Sequence, residues 1–308
     1  MEVKDIFEMR KAGKTEEAYH AIQEIYAHHH GPHTNLCMFW CSSDMFRKAA
    51  KEKNAKEARQ FLGSMVKIYP DIKDDRGDAA RAISRSALAM DKMVKDFNLV
   101  WFMPWFNKLT DDDWRPSTAN GHQIPSLGQQ IVNHLMKDIT TRDIDYVNSI
   151  TDIFDLAVKK APYNKENMRH YAQLSIILGK TEEARTTYKR LLRRHHDSYL
   201  YVELAKLIQD PGQKIALYCQ AIKNQPREEF SAQYHLTLSL LLSKCDMKGR
   251  AAYELNRCVD IYKRHRKPLT PFIKHQQQVL ANAIPVEEED EQVLYDRSEA
   301  VINKMIAE

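Results

Sequence analysis

Asn164-Lys-Glu-Asn-Met-Arg-His-Tyr-Ala-Gln-Leu-Ser-Ile-Ile-Leu-Gly179-Lys-Thr-Glu-Glu-Ala184-Arg-Thr-Thr-Tyr188-Lys-Arg-Leu191-Leu-Arg-Arg194 reads as two amphipathic helices separated by one glycine. Apolar residues recur at helical spacing on both sides of Gly179, with Asn164 placed to cap the first helix and Thr181 the second. Glycine at the break supplies the left-handed conformation that ends a helix. The stretch is therefore a helical hairpin. One such hairpin cannot bury its own apolar face, so further hairpins are expected to stack on it.

Copies are present. The phrase Ala184, Tyr188, Leu191 returns after Gly13 as Ala18, Ile22, Ile25, and again as Ala58, Leu62, Met65 closed by Pro70. Fainter versions are Phe154, Ala157, Pro162; Tyr218, Ala221, Pro226; and Ala251, Leu255, Cys258. Between Ile25, Met65, Ala157, Leu191, Ala221 and Cys258 the steps are 40, 92, 34, 30 and 37 residues. The pattern resembles the tetratricopeptide repeat, whose period is about 34 residues. Positions in the first helix that are Trp, Leu, Gly and Tyr in that family are here Met168, Tyr171, Ala172 and Ser175. The long step leaves room for a divergent hairpin, with helices expected over Asp78–Met90 and Leu127–Asp138.

The expected fold is all-α: a tetratricopeptide-like superhelix of hairpins with an aromatic-rich insertion in the middle and a C-terminal capping helix. The expected divisions are residues 1–70 for N-terminal hairpins, 71–149 for the divergent hairpin with its insertion at about 107–126, 150–284 for C-terminal repeats, and 285–308 for an acidic linker and cap. Only 9 glycines and 11 prolines in 308 residues agree with helices on short turns better than with a turn-rich β protein.

With 43% hydrophobic and 29% charged residues the chain can bury a core. A net charge of +4 is too small for bulk attraction to nucleic acid, so any such site must be a local patch. No apolar run approaches the ~20 residues that span a bilayer, and Met1–Arg10 alternates charged with apolar residues, unlike a secretory signal. The five cysteines are an odd, scattered set, read as reduced thiols. These features imply a cytoplasmic protein with no membrane partner.

The middle is irregular. Phe97, Trp101, Phe102, Trp105 and Phe106 precede the turn-rich run Thr110–Pro125. Trp114 is expected to fold back onto this aromatic cluster, with contact to a partner as the alternative. The segments Val3–Ala18, Trp114-x-Pro116 with Gly121 and Pro125–Leu127, and Tyr199–Tyr262 resemble bacterial repeat proteins associated with TOTE-type conflict systems, which are defence or mobile-element islands. Members of that group often carry an S1/cold-shock-like domain, and no strand-rich segment of that kind is visible in this chain.

Catalytic signatures are missing. There is no Gly-x-Gly-x-x-Gly, no Gly-x-Ser-x-Gly and no His-Glu-x-x-His, and Gly179-Lys180-Thr181 lacks the earlier glycine of a phosphate loop. His28, His29, His30, His33, Cys37 and Cys41 are zinc-ligand types at no finger spacing, and are read as a polar loop beside packed thiols. The sequence thus points to a non-enzyme with no cofactor and no metal.

What remains is binding. The resemblance implies that the first helices of the hairpins line a concave groove, which places Trp40, Arg47, Lys51, Arg169, Gln173, Gln233 and Lys244 on or near it. Four cations among them suit an acidic peptide or a phosphate-bearing ligand. The leading expectation is a scaffold or adaptor for a protein partner. The alternative is a nucleic-acid-associated subunit whose Arg193, Arg194, Arg264 and Arg266 form a basic edge; both runs also sit where cations favour helix C-termini.

Overall fold

The computed structural model describes residues 1–307. Regular structure consists of α1 (Val3–Lys11), α2 (Thr15–Tyr26), α3 (Pro32–Lys51), α4 (Ala55–Ile68), α5 (Asp78–Met93), α6 (Met103–Phe106), β1 (Ser117–Ala119), β2 (His122–Ile124), α7 (Leu127–Leu135), α8 (Ile144–Lys160), α9 (Lys165–Ile177), α10 (Thr181–Leu192), α11 (Ser198–Ala205), α12 (Pro211–Lys223), α13 (Glu228–Lys244), α14 (Lys248–Arg264), α15 (Pro271–Val279) and α16 (Glu288–Ala307), with short 3-10 turns between. The protein is all-α, built from helical hairpins. Among the described residues no helix is long and apolar enough to cross a membrane.

The small residue of the repeated phrase is what lets each second helix sit close to its neighbours. Ala18, Ala58, Ala157, Ala184, Ala221 and Ala251 are all 0% exposed. Gly13 and Gly179 turn their hairpins at φ +81° and +73°. Elsewhere Lys53 and Asp246 take the same left-handed conformation, at φ 58° each, so two hairpins turn without glycine.

Helix starts follow the side chains that can satisfy free amide N–H groups. Asn54, Ser126, Asp143, Asp210 and Thr270 each accept from the backbone three residues on, opening α4, α7, α8, α12 and α15. Each such cap is worth about 1 kcal/mol. At α5 the work falls to Asp74, which accepts from the amides of Ala79 and Ala80 at 3.0 and 2.9 Å. Asn164 accepts from the Asn167 amide at 3.0 Å as expected. Thr181 does not cap α10: Lys180 occupies that position without a side-chain bond, and Thr181 is the first helical residue.

The chain divides inside α9 into two compact units, Met1–His170 and Tyr171–Glu308. In the first, α1 packs on α2, α2 on α3, α3 on α4 and α4 on α5, while α3 also touches α1 and α5 along their sides. In the second, α10 packs on α11, α11 on α12, α12 on α13 and α13 on α14. Cys219, Leu238, Leu242, Leu255 and Cys258 are among the residues of its core.

The expected insertion loop holds structure of its own. Ser117–Ala119 and His122–Ile124 pair antiparallel around Asn120-Gly121, both at positive φ, 52° and 75°. Asn-Gly favours this two-residue turn because both central positions need φ above zero.

The tail also differs from expectation. The acidic run Glu288–Glu291 is the first turn of α16 rather than a linker, and Leu294 and Tyr295 of α16 pack on the core of the last hairpins. It runs back across the second helices: Glu291 meets Arg250 of α14, Ser298 meets Gln220 of α12, and the Ile306 carbonyl meets Arg193, just beyond α10.

Candidate functional site

α1, α3 and α5 lie side by side in the first unit, and the stripe that each presents is set by helical spacing. On α3 the stripe is Trp40, Asp44, Arg47 and Lys51; on α5 it is Asp78, Arg81, Arg85 and Ala89. Two adjoining cavities open along these faces. One, of about 490 Å³, is lined by Arg10, Lys11, Thr15, Asp44, Arg47, Lys48 and Lys51. The other, of about 500 Å³, shares Arg10 and Arg47 and adds Trp40, Phe46 and Ala50 from α3 with Arg81, Ala82 and Arg85 from α5, besides smaller side chains.

The groove is rich in cations. Its lining holds seven cations with Asp44 and Asp78, and three of those cations, Lys11, Lys48 and Arg81, pair with Glu8, Glu16 and Asp113 beside it. Asp44 anchors the middle, accepting from both Arg10 and Arg47. Two arginines on one carboxylate leave a surplus positive charge at the junction of the cavities. Arg10 also lies over the Trp40 ring, 5.4 Å from its centroid. Arg81 is held by Asp113, by Asp78 at 2.9 Å and by the Thr110 hydroxyl at 3.0 Å. Lys48 pairs with Glu16 and holds that carboxyl below its ordinary range. Among the described residues Lys51 and Arg85 have no carboxylate partner.

Three of the groove residues expected from sequence, Trp40, Arg47 and Lys51, are thus brought together. The α1 and α5 walls, Arg10, Arg81 and Arg85, were not anticipated. The remaining candidates do not line these two cavities. Arg169, in the first unit, pairs with Glu166 at 3.6 Å, and Gln173, in the second, donates to Glu203 at 3.3 Å. Gln233 and Lys244 are exposed on α13.

Trp114 is not a surface contact. It is 3% exposed, packed on the backbone of Gly128, so the indole belongs to the interior of the first unit. Nor are the four arginines of the supposed basic edge all free for phosphates. Arg193 donates to the Ile306 carbonyl at 2.7 and 3.2 Å, and Arg264 pairs with Glu228 at 2.6 Å. Arg194 and Arg266 are exposed.

Residues 169–300 match a family described as a domain of unknown function, DUF7017. The match spans 132 of the 308 residues, running from α9 into α16. No curated protein matches the chain.

The matched segment encloses a buried polar cluster. Glu254 on α14 is 0% exposed; it pairs with Nδ1 of His235 on α13 and accepts from the Tyr295 hydroxyl at 2.9 Å. Glu291, 1% exposed, sits beside it and takes 3.1 Å hydrogen bonding from Arg250. Burial, then the charge of Glu254, pushes the Glu291 carboxyl up to about 8, against the pull of Arg250. Burial likewise raises the Tyr295 hydroxyl and the Cys219 thiol. Such a cluster fixes α16 to α13 and α14.

The first unit has its own thiol pair. Cys37 and Cys41 are buried one turn apart on α3, and Cys41 is raised by its neighbour and by burial. Among the described residues no group of three or more His, Cys, Asp or Glu side chains is placed to hold a metal ion.

Proposed function

We propose that this chain is a non-catalytic scaffold or adaptor that holds a partner protein in the groove of α1, α3 and α5. The observation that carries the reading is the concentration of cations: seven line the groove beside Trp40, and Lys51 and Arg85 among them have no carboxylate partner among the described residues, which is the chemistry of a surface for an acidic segment. Cations there can form charge-assisted hydrogen bonds to carboxylates, and apolar side chains supply area to bury. The tetratricopeptide-like order of the hairpins and the resemblance of Val3–Ala18 and Tyr199–Tyr262 to conflict-system proteins support a place in a bacterial multicomponent system. The alternative, a nucleic-acid subunit using a basic edge on the second unit, is weakened because Arg193 and Arg264 already have protein partners.

The test is a pair of charge reversals, Arg47→Glu and Lys51→Glu. The Arg47 side chain is 69% exposed and Lys51 is exposed; Arg47→Glu sets a carboxylate near Asp44, which Arg10 still holds, so a loss of about 1–2 kcal/mol is expected with the helices kept. The double variant is expected to keep its helical circular dichroism and to lose the partner that the wild-type chain captures from its host. Steep, salt-sensitive binding of RNA or DNA by the purified chain, unaffected by these two changes and removed by Arg194→Glu with Arg266→Glu, would overturn the reading.

A further inference from the structure

α16 is joined to the second unit by polar pairs along its whole length. Of its buried residues, Glu291 and Ser298 are polar and only Ile302 and Met305 are apolar. Arg250, Gln220 and Arg193 reach it through Glu291, Ser298 and the Ile306 carbonyl, and Lys223 pairs with Glu299 at 3.3 Å. By comparison, α13 and α14 share a core of Leu238, Leu242, Leu255 and Val259. Polar pairs exchange for water when they part, whereas aliphatic area does not, so α16 separates at less cost than a hairpin opens.

The segment that leads into α16 runs against the start of α14. There the Val286 amide donates to the Gly249 carbonyl at 3.3 Å. A Cβ on residue 249 would stand 2.9 Å from the Ile284 carbonyl oxygen, so this close approach depends on glycine.

One contact is conditional. Oε2 of Glu291 accepts from Arg250, but its buried Oε1 has no donor among the described residues. Beside it both oxygens of Glu254 are already engaged, by Nδ1 of His235 and by the Tyr295 hydroxyl. Two buried carboxyls within hydrogen-bonding reach of each other attract only when one of them carries a proton. A proton on Glu291 supplies the missing donor and removes the repulsion. The titratable and charged groups around the pair are Arg250 and Tyr253 of α14, His235 of α13, Cys219 of α12, and Glu288 and Tyr295 of α16.

We infer that α16 is a releasable strap: its docking requires a proton held between Glu254 and Glu291, and its release uncovers the face of α10, α12 and α14 together with the Cys219 thiol. The inference is independent of the groove in the first unit.

Three cysteines of the second unit make the event measurable. The Cys219 thiol is 0% exposed and close enough to feel the charges of Glu254 and Glu291 and to act on Tyr295, which puts it beneath α16. Cys258, also 0% exposed, belongs to the core that α13 and α14 share, and Cys245 is exposed.

The test labels the full native chain with N-ethylmaleimide at pH 6.5 and pH 8.5. Peptide mass spectrometry gives the rate at each cysteine, and division by the Cys245 rate removes the pH dependence of the reagent. From the lower to the higher pH the Cys219 ratio is expected to rise at least about tenfold while Cys258 stays protected. Glu291→Gln, whose amide supplies the same donor at every pH, should keep the ratio low and flat. Gly249→Ala should raise it already at pH 6.5, by pushing the leading segment off α14, and should leave its pH dependence in place. A Cys219 ratio that does not change with pH in the wild type, or that changes equally in Glu291→Gln, would overturn the inference. Labelling of Cys258 in step with Cys219 would overturn it too, because the whole core would then be opening rather than the strap leaving.

Discussion

Gly128→Ala is expected to destabilise the first unit by roughly 1–3 kcal/mol, a large loss for a single methyl group. A Cβ at this position would lie 2.4, 2.5 and 2.6 Å from three carbon atoms of the Trp114 ring, inside any van der Waals contact. Relief by moving the indole is blocked on its own side. Trp114 ends a 3-10 turn whose preceding residue, Asp113, accepts from the Thr110 amide and hydroxyl at 2.9 Å each and pairs with Arg81 of α5. Relief by moving α7 would disturb its start, where Ser126 accepts from the Gln129 amide at 3.1 Å. Thermal unfolding followed by circular dichroism should show the loss as a lower midpoint. Trp114→Ala removes the clash partner but opens a cavity, at a cost of about 3–5 kcal/mol. In the double variant the new methyl group occupies space the indole has left, so the combined loss should be smaller than the sum. Simple additivity would mean that the ring and the glycine are not in contact.

Much of this fold was readable because its signals are local. The recurring Ala at the crossing of each hairpin needs only sequence spacing to be seen, and all six such residues are fully buried. Gly13 and Gly179 mark their turns for the same reason. Lys53 and Asp246 do not, since a left-handed lysine or aspartate looks like any other polar residue. The strands around Asn120-Gly121 were within reach: the dipeptide is a hairpin signal, but the flanking Ser-Thr-Ala and His-Gln-Ile lack the apolar alternation that usually accompanies it, and all six residues are exposed. The course of α16 was hidden. Its buried residues are Glu291, Ser298, Ile302 and Met305, half of them polar, so the face it buries does not stand out as apolar.

The groove was half visible for a different reason. Trp40, Arg47 and Lys51 share one stripe of one helix, which the 3.6-residue period reveals. Arg10, Arg81 and Arg85 belong to it only because α1 and α5 flank α3, a relation between helices that no single helix encodes. Extending the groove to Arg169, Gln173, Gln233 and Lys244 assumed one continuous first-helix face. Arg169 and Gln173 turn out to be engaged with Glu166 and Glu203.

The buried cluster under α16 carries the largest expected effects. Glu254→Ala should cost roughly 3–5 kcal/mol, because it strips His235 and the Tyr295 hydroxyl of their partner and leaves the Arg250–Glu291 pair without its neighbour. Glu291 gives the cluster a pH dependence whose sign is fixed by the direction of its shift. The charged and titratable groups facing it are Arg250 and Glu254 of α14, with His235 of α13, Cys219 of α12 and Tyr295 of its own helix around them. Its folded-state value of about 8 lies above the ordinary carboxylate value near ~4.3, so the folded chain holds this proton more tightly than the unfolded chain. The stability that the neutral carboxyl contributes is complete below about pH 4, declines as the pH rises, and is gone above about pH 8. In Glu291→Gln that titration is absent. The difference in melting temperature between wild type and Glu291→Gln should therefore shift in favour of the variant from pH 5 to pH 8.5, with hydrogen exchange showing faster opening of α16 in the wild type at the higher pH. A difference that stays constant across that range would mean that Glu291 is charged throughout, paired with Arg250 as an ordinary ion pair.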